Sequence, residues 1–133
     1  MNQLTKWKLS LALLLIFTGI ASSANAERIV REFHGTGNIV TPEFDIDGPW
    51  LLDWRVNGEF QQMIAIDIML LDGRTGRHIG QVLHTKRVGN GVKLFESSGR
   101  YKLRIDSTLA RWDVKIIQIT AAEAELYTPR KNN

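Results

Sequence analysis

Apolar and polar residues alternate with a period of two along most of the chain, and helical periodicity is scarce. Successive strand side chains point to opposite faces, so this alternation marks a sheet with one face buried. Trp50, Leu52, Trp54 and Val56 fall in one phase, and Asp53 and Arg55 fall in the other together with Leu51, until Gly58. A strand from Gln61 to Leu71 puts Ile64, Ile66, Ile68 and Leu70 on one side. Its other side, Met63, Ala65, Asp67, Met69 and Leu71, is also largely apolar, which predicts a central strand or one partly covered on both faces. A short strand over His78–His84 follows the turn residues Asp72-Gly73 and Thr75-Gly76.

Gly89-Asn90-Gly91 predicts a further turn, followed by a short strand over Val92–Glu96 and a turn at Ser97-Ser98-Gly99. Tyr101, Leu103 and Ile105 then alternate with Arg100, Lys102, Arg104 and Asp106. After a turn over Ser107–Ala110, Trp112, Val114 and Ile116 alternate with Arg111, Asp113 and Lys115 and run into Ile117–Ile119. Upstream, Ile29–Phe33 and Phe44–Ile46 read as short strands, separated by the Gly35–Gly37 turn and Thr41-Pro42. About seven or eight strands with turns at intervals of roughly 8–12 residues predict an all-β fold, a single antiparallel sandwich of jelly-roll-like order or a small barrel. Residues 27–120 form the expected sandwich, and residues 121–133 a tail with one or two helical turns and a frayed end.

The first 26 residues read as an address. Lys6 and Lys8 precede an apolar run from Leu9 to Ile20, and small residues follow, ending Ala24-Asn25-Ala26. That is the layout of a secretory signal peptide cut after Ala26. A run of 12 residues is short for a membrane span, which needs about 20. The expected mature chain is periplasmic or extracellular, with no stable membrane insertion after cleavage. Removing Lys6 and Lys8 lowers the formal net charge from +3 to +1, so the basic isoelectric point is no signature of nucleic-acid binding. The chain has no Cys, which excludes a thiol nucleophile, a redox role and a thiolate metal site. Acids crowd the half up to Asp72 and bases the half after it; distant strands that pair would let the two neutralise each other.

Phe44-x-x-x-Gly48-Pro49-Trp50-Leu51-Leu52, Ile68–Asp72 and Ser98-Gly99-Arg100-Tyr101-Lys102-Leu103-Arg104-Ile105 carry a resemblance. The last is similar to a Gly-x-Tyr-x-Leu-x-Val hairpin strand, and Trp112–Ile116 looks like a closing strand. Over Phe44–Ile117 the chain resembles the pre-peptidase C-terminal β-sandwich domains appended to secreted bacterial proteins. The resemblance implies a jelly-roll-like sandwich, export, and a non-catalytic role in adhesion, targeting or ligand binding. Unlike those appended domains, the sandwich is expected to stand alone, with no catalytic domain attached.

Candidate chemistry is sparse. His34, His78 and His84 lack the i, i+4 spacing of a zinc helix; His78 and His84 share a strand face only if Gly80 does not interrupt it. No G-x-S-x-G occurs, and Gly35-x-Gly37 lacks the remainder of a nucleotide fingerprint. Asp45, Asp47 and Asp53 are the densest carboxylates near a Gly turn and are the candidate calcium ligands, though without EF-hand spacing. Trp50, Trp54 and Trp112 share phase with aliphatic neighbours, which assigns all three to the core; Trp50, after Pro49 at the strand start, is the one of the three best placed for a rim where a sugar could stack. Arg100, Lys102 and Arg104, with Lys115 and Arg111 and with Lys86, Arg87 and Lys93 if they lie nearby, form a candidate face for an anionic glycan or protein.

The expected protein is thus an exported, non-catalytic sandwich without a cofactor that binds an envelope protein or an anionic cell-envelope glycan, with no nucleic-acid partner. A metal-assisted hydrolase built on His78, His84 and Asp67 is one competing expectation. A structural accessory subunit of an envelope complex is the other.

Overall fold

The computed structural model describes residues 28–129. The expected signal peptide over residues 1–26 lies outside them, as does the chain end after Pro129. Nine strands are present among the described residues: β1 Arg28–Gly35, β2 Ile39–Val40, β3 Phe44–Ile46, β4 Trp50–Asn57, β5 Ala65–Asp72, β6 His78–Thr85, β7 Gly89–Phe95, β8 Gly99–Thr108 and β9 Arg111–Gln118. They form two antiparallel sheets, one ordered β1-β9-β4-β7 and the other β2-β8-β5-β6, with β3 also pairing β8. The fold is an all-β sandwich.

The core is made by the phases read from the sequence. Trp50, Leu52, Val114 and Ile116 from the first sheet meet Phe44, Ile66, Ile68, Leu103 and Ile105 from the second. Trp50 is fully buried, and its ring lies 4.3 Å from that of Phe95, stacked at 16°. Each such side chain removes apolar surface from water at about 25 cal/mol per Å², so the two inner faces supply most of the driving force. As its doubly apolar pattern predicts, β5 is central, between β8 and β6.

Three local expectations are corrected. The ninth strand is β2, two residues long, which pairs Ile39 and Val40 with Ile105 and Arg104. Residues 61–63 are a turn rather than the start of β5: the Met63 N–H donates to the Phe60 carbonyl at 2.8 Å and closes it. Gly89-Asn90-Gly91 is not a turn but the start of β7. Gly91 pairs with Trp54, and a Cβ there would meet the indole at 2.7 Å, so glycine serves close approach instead.

The tail is short but attached. α1, Ala121–Ala124, is capped by Thr120, whose hydroxyl accepts from the Glu123 N–H, and a 3-10 turn over Glu125–Tyr127 follows. Ala124 packs on Leu51, Ile117 and Ile119, an apolar row on the outer face of the first sheet.

The topology gathers four connections at one end: β1–β2, β4–β5, β6–β7 and β8–β9. Each passes from one sheet to the other. The opposite end holds the β3–β4, β5–β6 and β7–β8 connections and α1.

Candidate functional site

The two ends differ in chemistry. At the β3–β4 end, a cavity of about 460 Å³ is lined by Asp45, Asp47, Asp72, Arg74, Ser98 and Arg100, among others. Its polar groups are largely committed to the protein. Arg100 Nε donates to Asp45 Oδ1 at 2.9 Å and lies 3.8 Å from Glu43. Asp72 Oδ1 accepts from the backbone N–H groups of Thr75 and Arg74 and from the Thr75 hydroxyl. The Ser98 hydroxyl accepts from the Gly48 N–H at 2.7 Å. The Gln118 amide accepts from Asp47 N and donates to the carbonyls of Asp47 and Pro49.

The pKa directions follow this geometry. The hydrogen bond from Arg100 holds Asp45 below the ordinary carboxylate range and raises Arg100 in return. Bonds from Thr75, then Arg74, lower Asp72. Burial pushes the Tyr101 phenol up; its hydroxyl donates to the Ser97 carbonyl at 2.9 Å.

The sequence-predicted residues are only partly brought together. Arg100, Lys102 and Arg104 do share the outer face of the second sheet. Arg100 is ion-paired as above, and Arg104 Nε lies 3.3 Å from Asp106 Oδ2. Lys115 and Arg111 lie on β9, in the other sheet, opposite Asp53 and Asn57. Lys93 turns into the gap between the sheet edges and donates to the Gln81 carbonyl at 2.8 Å. The continuous basic face therefore does not form: the alternation that aligned these residues held within each strand, but the strands belong to different sheets.

Trp50 is not at a rim. It is fully buried, with Nε1 donating to the Ser97 carbonyl at 3.1 Å. Asp45, Asp47 and Asp53 do not converge either. Asp45 is bound to Arg100 on β8, while Asp53 stands on the outer face of the first sheet between Val92 and Lys115. Asp67 and His84 do meet, with Nδ1 2.5 Å from Oδ1. His78 pairs with Leu71, four β5 residues from Asp67, or about 13 Å along the strand, too far to share an ion. Among the described residues, no three such side chains form a group able to hold a metal.

The other end presents apolar groups to solvent. Phe60 is 59% exposed, Met63 64% and Leu109 51%. Phe60 and Met63 stand on the β4–β5 turn, and Leu109 stands on the β8–β9 turn in the left-handed region at φ +50°. A non-glycine residue there is strained by roughly 1–2 kcal/mol. The two turns touch, because a Cβ on Gly58 would lie 2.8 Å from the Leu109 carbonyl. A cleft of about 310 Å³ between them is lined by Phe60, Leu109, Arg111 and Thr36, among others. The sequence pattern singled out neither Phe60 nor Leu109, and it placed Met63 in a strand. The available signal was a large apolar residue at turn positions: Leu109 inside Ser107–Ala110, and Phe60 between Gly58 and the Gln61-Gln62 pair.

No family model matches the chain, and no curated protein shows significant similarity to it.

Proposed function

We propose that this chain is an exported, non-catalytic binding module that docks onto a component of the cell envelope through the end carrying Phe60, Met63 and Leu109. The observation that supports this most directly is the exposure of three large apolar side chains on two touching turns, one of them held at a strained backbone angle. Exposed apolar groups gathered at one place mark a contact surface more often than scattered ones do. Strain kept at an exposed position suggests selection for display rather than for stability. The leader-like residues 1–26 support export to the periplasm or beyond, and the sheet-crossing connections suit the jelly-roll-like order of secreted sandwich modules such as the pre-peptidase C-terminal type. At the opposite end most polar side chains are already hydrogen-bonded within the protein, which leaves less for a ligand to gain.

The test is co-sedimentation of residues 27–133 with washed envelope fragments. Phe60→Ser combined with Leu109→Asn is expected to lower the bound fraction by about tenfold while thermal stability stays equal or rises, since Asn tolerates the left-handed region better than Leu. Undiminished sedimentation of that folded variant would remove this end as the docking site.

A further inference from the structure

The charges around the three apolar residues indicate what they dock onto. The connections at this end carry two bases, Lys86 and Arg87, and one acid, Glu59, and the first residue of β9 adds a third base, Arg111. Lys86 and Arg87 form the β6–β7 turn, beside the β4–β5 turn because Thr85 pairs with Ile66 at the start of β5. Arg111 opens β9 and lines the same cleft as Phe60 and Leu109. All three bases are exposed, and none is in an ion pair among the described residues.

We infer that this end is a peripheral docking site for an anionic lipid surface, with Phe60, Met63 and Leu109 entering the interface and Lys86, Arg87 and Arg111 meeting the headgroups. This rests on the proposed docking role of the same end. A specific protein interface needs a continuous, complementary patch of about 800 Å² on each partner. Three side chains projecting from turn tips around a cleft do not make one, whereas a fluid interface closes around separate tips. Apolar groups in the acyl boundary flanked by cations at headgroup level are the arrangement by which a protein lies on a membrane without spanning it. Each cation near such a surface raises binding about fivefold, an effect screened by salt.

The experiment uses residues 27–133 and vesicles of phosphatidylcholine with or without a third of phosphatidylglycerol. Binding by co-sedimentation is expected only to the anionic vesicles and is expected to fall at least tenfold in high salt. Phe60→Ser with Met63→Ser, and separately Lys86→Glu with Arg87→Glu, should each reduce it at least tenfold. Arg28→Glu with Arg77→Glu, two bases at the opposite end, should leave most of it. The chain has no Cys, so a polarity-sensitive dye placed through Phe60→Cys reports this position alone. Its emission should shift blue on anionic vesicles, and a dye placed through Arg77→Cys should not.

Equal binding to neutral vesicles, equal loss in the opposite-end variant, or no shift at position 60 would overturn the assignment. If vesicles are not bound but washed envelope still retains the wild type and loses the Phe60 and Leu109 variant, the docking end stands and its occupant is a protein or glycan. If neither binds, the docking role falls as well.

Discussion

Gly48 and Gly91 both exclude a side chain, but against different neighbours. A Cβ on Gly48 would lie 1.9 Å from the Glu96 carbonyl oxygen, which is backbone. A Cβ on Gly91 would meet the ring of Trp54, a half-buried side chain rather than backbone. Gly48→Ala is therefore expected to cost about 3 kcal/mol or more, and Gly91→Ala about 1 kcal/mol. Urea denaturation midpoints of the two variants check the order; equal losses would mean that the Glu96 backbone yields as easily as the indole.

Within elements, two polar side chains replace backbone ladder. On the edge away from β5, β8 has no strand partner between β2 and β3, where Thr41-Pro42-Glu43 passes by. Thr41 fills the gap: its hydroxyl accepts from the Leu103 N–H and its own N–H donates to the Leu103 carbonyl, both at 2.9 Å. Thr41→Val keeps the shape and strands a buried donor, at about 1–3 kcal/mol. Amide exchange at Leu103 should accelerate in Thr41→Val and stay slow in Thr41→Ser. In the β5–β6 turn, Asp72 caps three donors, and its folded pKa lies below the ordinary 3.8. The unfolded chain then binds the proton more tightly, so this contribution is complete above the unfolded value and is lost as pH falls through the lower folded one. Asp72→Asn should flatten the loss of stability below about pH 4, read as unfolding midpoints across that range. An unchanged acid limb would assign the acid sensitivity to other carboxylates, Asp45 first.

Across the whole molecule, the acidic first half and the basic second half interleave. Each sheet alternates strands from both: β9 lies between β1 and β4, and β8 between β2 and β5. Register sets Lys115 opposite Glu32 and Asp53, Arg55 opposite Asp113, and Arg100 opposite Asp45. The exception is Asp67 opposite Asp106, where like charges on one face are eased by His84 and Arg104. Arg104→Glu adds a third carboxylate there and is expected to cost about 0.5–1 kcal/mol. The loss should shrink in about 0.5 M salt, where exposed charges are screened. A loss that salt does not touch would point to packing of the Arg104 stem.

Period-two alternation was sufficient for an all-β fold and for the inward phase of β4, β5, β8 and β9. These depend on local pattern, since burial of one face selects the phase whatever the partner strand is. Partner choice decided the rest. Arg100 and Lys115 look alike in sequence, yet β8 and β9 run in different sheets, and pairing with Asp45 neutralises the first. Phase puts Trp50 in the core and Pro49 before it leaves a rim place open; Phe95 on β7, stacked on its ring, closes that choice. Gly91 reads as a turn until Trp54 occupies the space beside it. Phe60 and Leu109, 49 residues apart, become neighbours because four sheet-crossing connections end at the same level. Phase is a property of one strand and can be read along the chain; neighbourhood across strands is set by register and sheet order, which depend on the packing of the whole core at once.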